Sequence, residues 1–581
     1  LVEAPEDADI DALQAALLAG VEDAVAAPFT EAEVNEARER LLAGYSRAMR
    51  DPNAVGVALS EAIAQGDWRL LLLARDRLET VSVDDVTRVA ATYLKPDNRT
   101  SGRFVPTDRA ERVVIPEAPS AETLLADYVG RPALAAGEAF DASPANIDAR
   151  TRTWTLSNGA KLAVLDKATR GGAVQLRMTL RLGDEASLHG QAEAGSMAGA
   201  MLMRGAGAFD RAGLSRELTR LGSTLSVGGN ATAVSVGAST DRDHVGAILE
   251  LLAAILRTPT FPEQEFAQLR TQAITGIRGS MTEPGALANQ AMAQHFDPFP
   301  PGHPYHSPTF EQRIAALEAL DVDALRAFHR AFYGVGPGTT IAVVGDVDAE
   351  AVHAQLERLF GDWTPATPFA RIPLPATPRP PAHVRLPTPD RPNAVFMARQ
   401  ALTLDQDHPD YPALLLGNHV LGGGGMKSRL ADRIRQREGL SYSVSSNFSA
   451  NAFDPVGSFG GYAIAAPENM AQLEIAFREE LQRLRETDMP DAELAETLDG
   501  LLRARRTSRA NDAQLVGMLN DNLYLGRDMA FSAAFEDRLR ALTPADIRAA
   551  MARHLDPAQL SVFIGGDFDA AGATGGDASA D

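Results

Sequence analysis

Two hydrophobic periodicities alternate along this chain. Ser223–Thr240 (STLSVGGNATAVSVGAST), Tyr442–Phe448 and Gly457–Ala466 place apolar and polar residues in turn. Successive side chains of a strand point to opposite faces, so this pattern predicts antiparallel strands with one face buried. Ala247–Leu256 (AILELLAAIL) and Asn469–Glu486 (NMAQLEIAFREELQRLRE) instead repeat their apolar residues at helical spacing, which predicts helices with a core-facing stripe. Strands interleaved with such helices predict an α+β fold.

One phrase occurs three times: at Arg75–Pro106, at Ile314–Asp346 and at Glu536–Asp567. Each copy reads as a short helix, an N-cap, an amphipathic helix, a turn and an apolar strand. The caps are Ser82, Asp321 and Thr543, and Asp85 and Asp546 follow two of them three residues later. That spacing favours a helix start at the cap. The strands SGRFV, TIAVVG and LSVFIG are rich enough in apolar and β-branched residues to be sheet members. A longer match, Pro28–Ala48 against Asp488–Ala510, makes residues 1–108 read as the closing part of a domain whose complete version ends near residue 567.

The predicted organisation is therefore a domain tail at 1–108, a linker at 109–150, a domain at 151–363, a second linker at 364–390, a domain at 391–567 and a disordered tail at 568–581. Both linkers are rich in Pro and Ala, and the tail lacks apolar content.

Composition narrows the partners. A net charge of −22 repels nucleic acid and anionic membrane surfaces, so neither is the expected partner. The absence of cysteine removes disulfides and thiolate metal sites. Ala247–Leu256 is too short to span a bilayer, which needs about 20 residues. The chain begins at Leu1 inside an acidic, helix-like segment, which reads as a fragment of something longer.

Two phrases carry a family resemblance. HPYHSPTFEQRIAALEALDVDALRAFHRAFY (His303–Tyr333) and VLGGGGMKSRLADRIRQREGLSYSV (Val420–Val444) resemble a domain ending and a domain opening of the pitrilysin/insulinase zinc metallopeptidases. The order of elements resembles one half of such an enzyme: repeated two-layer α/β domains, antiparallel sheets covered by helices, paired as half of a clamshell. In an active half, an H-x-x-E-H helix supplies two zinc ligands and the general base, and a distal glutamate completes the metal site.

The corresponding helix here is Ala194–Gly207 (AGSMAGAMLMRGAG). Counting back from Arg204 and Gly205 puts Ser196, Gly199 and Ala200 at the three motif positions, and Gly276 near that of the distal glutamate. The resemblance thus implies a non-catalytic half: zinc belongs to an upstream half, none is bound by this chain, and the fragment alone is inactive. It also implies a periplasmic location and a peptide or small unfolded protein as substrate. The partner would be that upstream half, in the same chain or as a separate subunit; a non-enzymatic scaffold built from degenerate peptidase domains is the alternative.

Family members also supply an R-x6-Y pair from their last domain, matched here by Arg435 and Tyr442. A guanidinium can hold a substrate carbonyl, and a phenol can donate to the oxyanion formed on hydrolysis. Arg433 and Arg437 compete for the arginine's role on sequence grounds. Other motifs are weaker: Pro304 disrupts His303 and His306 as a helical metal pair, and Met426 before Lys427 breaks the phosphate-loop pattern after Gly422–Gly425. Met197, Met201 and Met203 read as core filler.

Overall fold

The computed structural model describes residues 9–26, 29–94, 125 and 136–568. Two mixed sheets organise residues 136–568. The first is built from β1 (Thr151–Thr155), β2 (Lys161–Asp166), β3 (Ala173–Arg181), β6 (Thr224–Gly229), β7 (Ala233–Asp241) and β8 (Thr340–Gly345), in the order β1-β2-β8-β3-β7-β6. A short hairpin, β4 (Gly205–Ala206) with β5 (Phe209–Asp210), stands apart. The second sheet joins β9 (His383–Pro387), β10 (Ala394–Leu402), β11 (Ser441–Ala450), β12 (Gly457–Ala465) and β13 (Ser561–Gly566), in the order β11-β12-β10-β13-β9. Each sheet is antiparallel apart from one parallel pair, β2 with β8 and β13 with β9.

The alternating segments form strands where the pattern placed them: β6 with β7, and β11 with β12, are antiparallel neighbours. All three repeated caps also form. Ser82 and Thr543 make reciprocal capping boxes with Asp85 and Asp546, and Asp321 accepts the Ala324 amide. The strand SGRFV lies outside the described residues.

Leu162, Val164, Ile341 and Val343 of β2 and β8 point into the large core formed with the first sheet's own helices. Their neighbours Ala163, Leu165, Ala342 and Val344 point the other way, into a second cluster with Leu515, Val516 and Leu519 of the helix Asp512–Leu525. That helix follows the second sheet's main strands in sequence. The second sheet receives the reverse favour: the helix Pro284–His295 packs on β13 and β10, with the His295 ring 5.7 Å from that of Phe563. Each sheet is thus covered on one face by its own helices and on the other by a helix from the opposite unit.

The N-terminal helices Glu31–Ala48, Pro52–Ala64, Leu70–Leu78 and Val83–Tyr93 follow the same order as Asp491–Ala510, Asp512–Leu525, Met529–Arg540 and Pro544–His554. Arg50 ties them to the first sheet through a 2.9 Å ion pair with Asp241.

Three boundary expectations change. β9 falls inside the stretch 364–390 read as linker, because His383–Pro387 supplies the fifth strand beside β13. The helix Pro144–Arg150 falls inside 109–150, where Ile147 is fully buried in the cluster between the units. Phe568, placed in the tail, packs on the core of the second sheet, while residues 569–581 lie outside the described residues.

Candidate functional site

The helix Ala192–Met201 lies against β6 so closely that no side chain fits at two positions. A Cβ on Gly199 would sit 2.5 Å from the Gly229 carbonyl oxygen and 2.6 Å from its nitrogen, and Gly195 meets the Ala231 backbone in the same way. Met197 and Met201 are buried in the core, as expected of filler. Ser196 is half-buried, and its hydroxyl donates back to the Ala192 carbonyl at 2.8 Å. Ala200 and Gly276 face solvent. These four positions offer one hydroxyl, already committed to the backbone, and they do not fit a catalytic zinc ion. Arg204, just beyond the helix, pairs with Glu265 at 2.6 Å.

Arg435 and Tyr442 come together. Gly422 permits this arrangement: it lies against Ser446 of β11 where any Cβ would collide, so the glycine-rich segment can pass tightly over the sheet. Two wide-turn helical segments follow the contour, with the Gly424 amide bonded to the His419 carbonyl and the Glu438 amide to the Arg433 carbonyl, each five residues back. Such i→i+5 turns are uncommon and are frequent at functional sites. β11, the edge strand, carries a register shift between Ser441 and Ser443, and Tyr442 at that irregularity is 81% exposed.

The Arg435 guanidinium lies 4.4 Å from the centre of the Tyr442 ring and 3.0 Å from the Met426 sulfur. A cation over an aromatic face at an exposed site contributes about 0.5–1 kcal/mol, enough to bias the two side chains toward one arrangement.

The rival arginines are occupied. Arg433 contacts Glu438, Glu479 and Glu480; burial works against its charge, but the Glu438 and Glu479 carboxylates outweigh that and raise its pKa above the ordinary arginine value. Arg437 pairs with Asp432 at 2.9 Å. Among the described residues Arg435 forms no ion pair, so its charge is available to an incoming group. Met426, 62% exposed, is the member of this cluster that the sequence does not mark, since there it stands out only as a break in a phosphate-loop pattern.

The remaining motifs have structural uses. His303 stacks on Phe299 with centroids 4.0 Å apart, and its Nδ1 accepts the Tyr305 amide. His306 Nδ1 lies 2.7 Å from Asp297. Lys427, beyond the glycines, pairs with Glu496 at 2.6 Å. No described helix is long and apolar enough to cross a membrane.

Residues 319–501 match the family model described as the peptidase M16 inactive domain. Over 243 residues the chain is 27% identical to an uncharacterized zinc protease of Streptomyces coelicolor, a match covering 41% of this chain and 51% of the relative. The aligned part thus spans about half the length of that curated relative. A crystal structure of a peptidase M16 inactive domain from Pseudomonas fluorescens superposes with a TM-score of 0.62 at 25% identity, covering 72% of this chain and 98% of that one. The periplasmic protease PqqL from Escherichia coli shares the fold with a TM-score of 0.59 at 18% identity, over 95% of this chain and 62% of that protein.

Proposed function

We propose that this chain is the substrate-holding, non-catalytic part of a zinc-dependent endopeptidase, a reading supported by the match of residues 319–501 to the peptidase M16 inactive domain. Hydrolysis would take place on a neighbouring lobe, upstream in the same chain or in a partner subunit. The observation that carries this reading is the exposed Arg435–Tyr442 pair, whose guanidinium lacks a carboxylate partner among the described residues while both neighbouring arginines have theirs.

In this reading Arg435 holds a carbonyl of an extended peptide, and the Tyr442 phenol donates to the oxygen that gains negative charge as the peptide bond is attacked. Both groups stabilise charge and neither is a nucleophile. Peptides and small unfolded proteins are the substrates proposed, since a site completed between two lobes excludes folded ones. A periplasmic location is part of the proposal, and its support is the periplasmic relative sharing the fold.

The test is Tyr442→Phe in the complete protein. Removing one oxyanion donor should lower kcat by about 10²–10³, while zinc content and substrate KM stay near those of the unaltered protein. Arg435→Ala should instead raise KM. Unchanged turnover in Tyr442→Phe would remove the phenol from the mechanism.

A further inference from the structure

Away from the Arg435–Tyr442 site, the start of one helix meets the end of another. The loop ahead of the helix Tyr411–Asn418 carries His408 and Asp410, and the helix Pro544–His554 ends in Arg553 and His554. His554 Nε2 lies 2.7 Å from Asp410 Oδ2, on which Arg553 also closes. The His408 ring stands edge-on to that of His554, with centroids 5.1 Å apart. One ring nitrogen from each histidine and one carboxylate oxygen all lie within 4.8 Å of one another. Among the described residues this is the one group of three or more His, Cys, Asp or Glu donors so placed.

We infer that His408, Asp410 and His554 bind one borderline divalent cation, of which Zn²⁺ is the type, at a site that takes no part in hydrolysis. Two imidazoles and a carboxylate are a donor set suited to such an ion, and water completes a tetrahedral shell. Donors around bound zinc stand about 3.4 Å apart, given metal–ligand distances near 2.1 Å, so the 2.7 Å His554–Asp410 contact opens on binding while donors standing up to 4.8 Å apart close in.

The surroundings already hold the donors in place. The Gln400 amide bonds the His554 carbonyl at 2.9 Å, and the Gln406 amide bonds the Asn451 carbonyl at 3.0 Å, fixing the loop that carries His408. The helix ending at His554 also presents its negative pole to the cation. Two adjustments oppose binding. His408 Nδ1 accepts the Asp410 amide at 3.1 Å, and that bond is given up whichever nitrogen ligates, Nδ1 by using the lone pair or Nε2 by moving the ring proton to Nδ1. Arg553 must leave Asp410, which its 58% exposed side chain is free to do. The site is separate from the positions of Ser196, Gly199 and Ala200, so it adds a non-catalytic metal site to the reading of a chain without catalytic zinc.

Zn²⁺ titrated calorimetrically into the tag-free 581-residue chain tests this. One equivalent should bind saturably. His408→Ala and His554→Gln should each weaken binding by about tenfold or more, with circular dichroism confirming that both variants fold. Arg553→Ala keeps every ligand and removes the competing cation, so it should bind more tightly. Co²⁺ in place of Zn²⁺ should give visible absorption that the histidine variants lose. No saturable uptake by the unaltered chain, uptake by either histidine variant as tight as that of the unaltered chain, or weaker uptake by Arg553→Ala would each overturn the inference. Asp410 would then be a metal-free tie between the two helices. None of these outcomes bears on Arg435 and Tyr442.

Discussion

Gly199 shows how one residue can hold two meanings. Counting back from Arg204 and Gly205, the family resemblance leads one to expect the general base of an active half at this position, and in sequence nothing more can be read from it. In the fold it is the point where a helix touches the Gly229 backbone, contributed by a strand later in the chain. A backbone atom cannot turn aside as a flexible side chain can, so Gly199→Ala should destabilise the protein by about 1–3 kcal/mol, the range for overpacking a closed contact. Ala200→Ser, one residue along and facing solvent, should change stability by no more than about 0.5 kcal/mol. Urea denaturation of the two variants decides the matter, and equal midpoints would refute the close approach. The same contact means that placing an H-x-x-E-H motif on this helix takes more than three substitutions. Arg435 is a different case: its spacing to Tyr442 was visible in the sequence, but the reason to prefer it to Arg433 and Arg437 is the placement of Glu438, Glu479 and Asp432, which only folding reveals.

At the scale of elements, local chemistry made the helix starts legible. Ser82, Asp321 and Thr543 cap the helices they were expected to cap, because a cap depends on residues three apart and on little else. At Thr543 the hydroxyl and amide donate to Asp546 at 2.6 Å and 2.9 Å, while the Asp546 amide returns a bond to the hydroxyl at 3.2 Å. The hydroxyl first, then the amide, holds the Asp546 carboxyl below its usual range. Thr543→Ala should therefore cost about 1 kcal/mol at neutral pH. A carboxyl whose pKa is depressed on folding stabilises above its unfolded value, near 3.9, and loses that contribution as pH falls through the lowered one. The difference between Thr543→Ala and the unaltered protein should accordingly shrink as urea titrations are taken from pH 7 to below about 4. A constant difference would show that the carboxylate has no share in the cap. β9 was illegible for the opposite reason: its alternation, His383–Leu386, lasts only four residues inside a Pro- and Ala-rich stretch, and its strand conformation comes from pairing with β13, far away in sequence.

For the whole molecule, the exchanged helices matter more than either sheet. TIAVVG and SVFIGG announce themselves as sheet members by their continuous apolar and small residues, and both strands are buried along their entire length. What covers their second faces could not be read, since neither Leu519 nor Pro284 is near its partner strand in the chain. This interlock predicts that the two units unfold as a single cooperative structure, because unfolding either one strips an apolar face of the other. Leu519, buried between the units, provides the test. Leu519→Ala should cost about 2–5 kcal/mol. The chain's three tryptophans are Trp68, Trp154 and Trp363, and all lie outside the second unit, so their fluorescence reports on the rest of the molecule. If the units are coupled, the mutation shifts the tryptophan transition and the far-ultraviolet circular dichroism transition to lower urea together. A tryptophan transition that stays in place while part of the dichroism is lost earlier would mean that the units unfold independently, and that the exchanged helices are contacts without cooperative consequence.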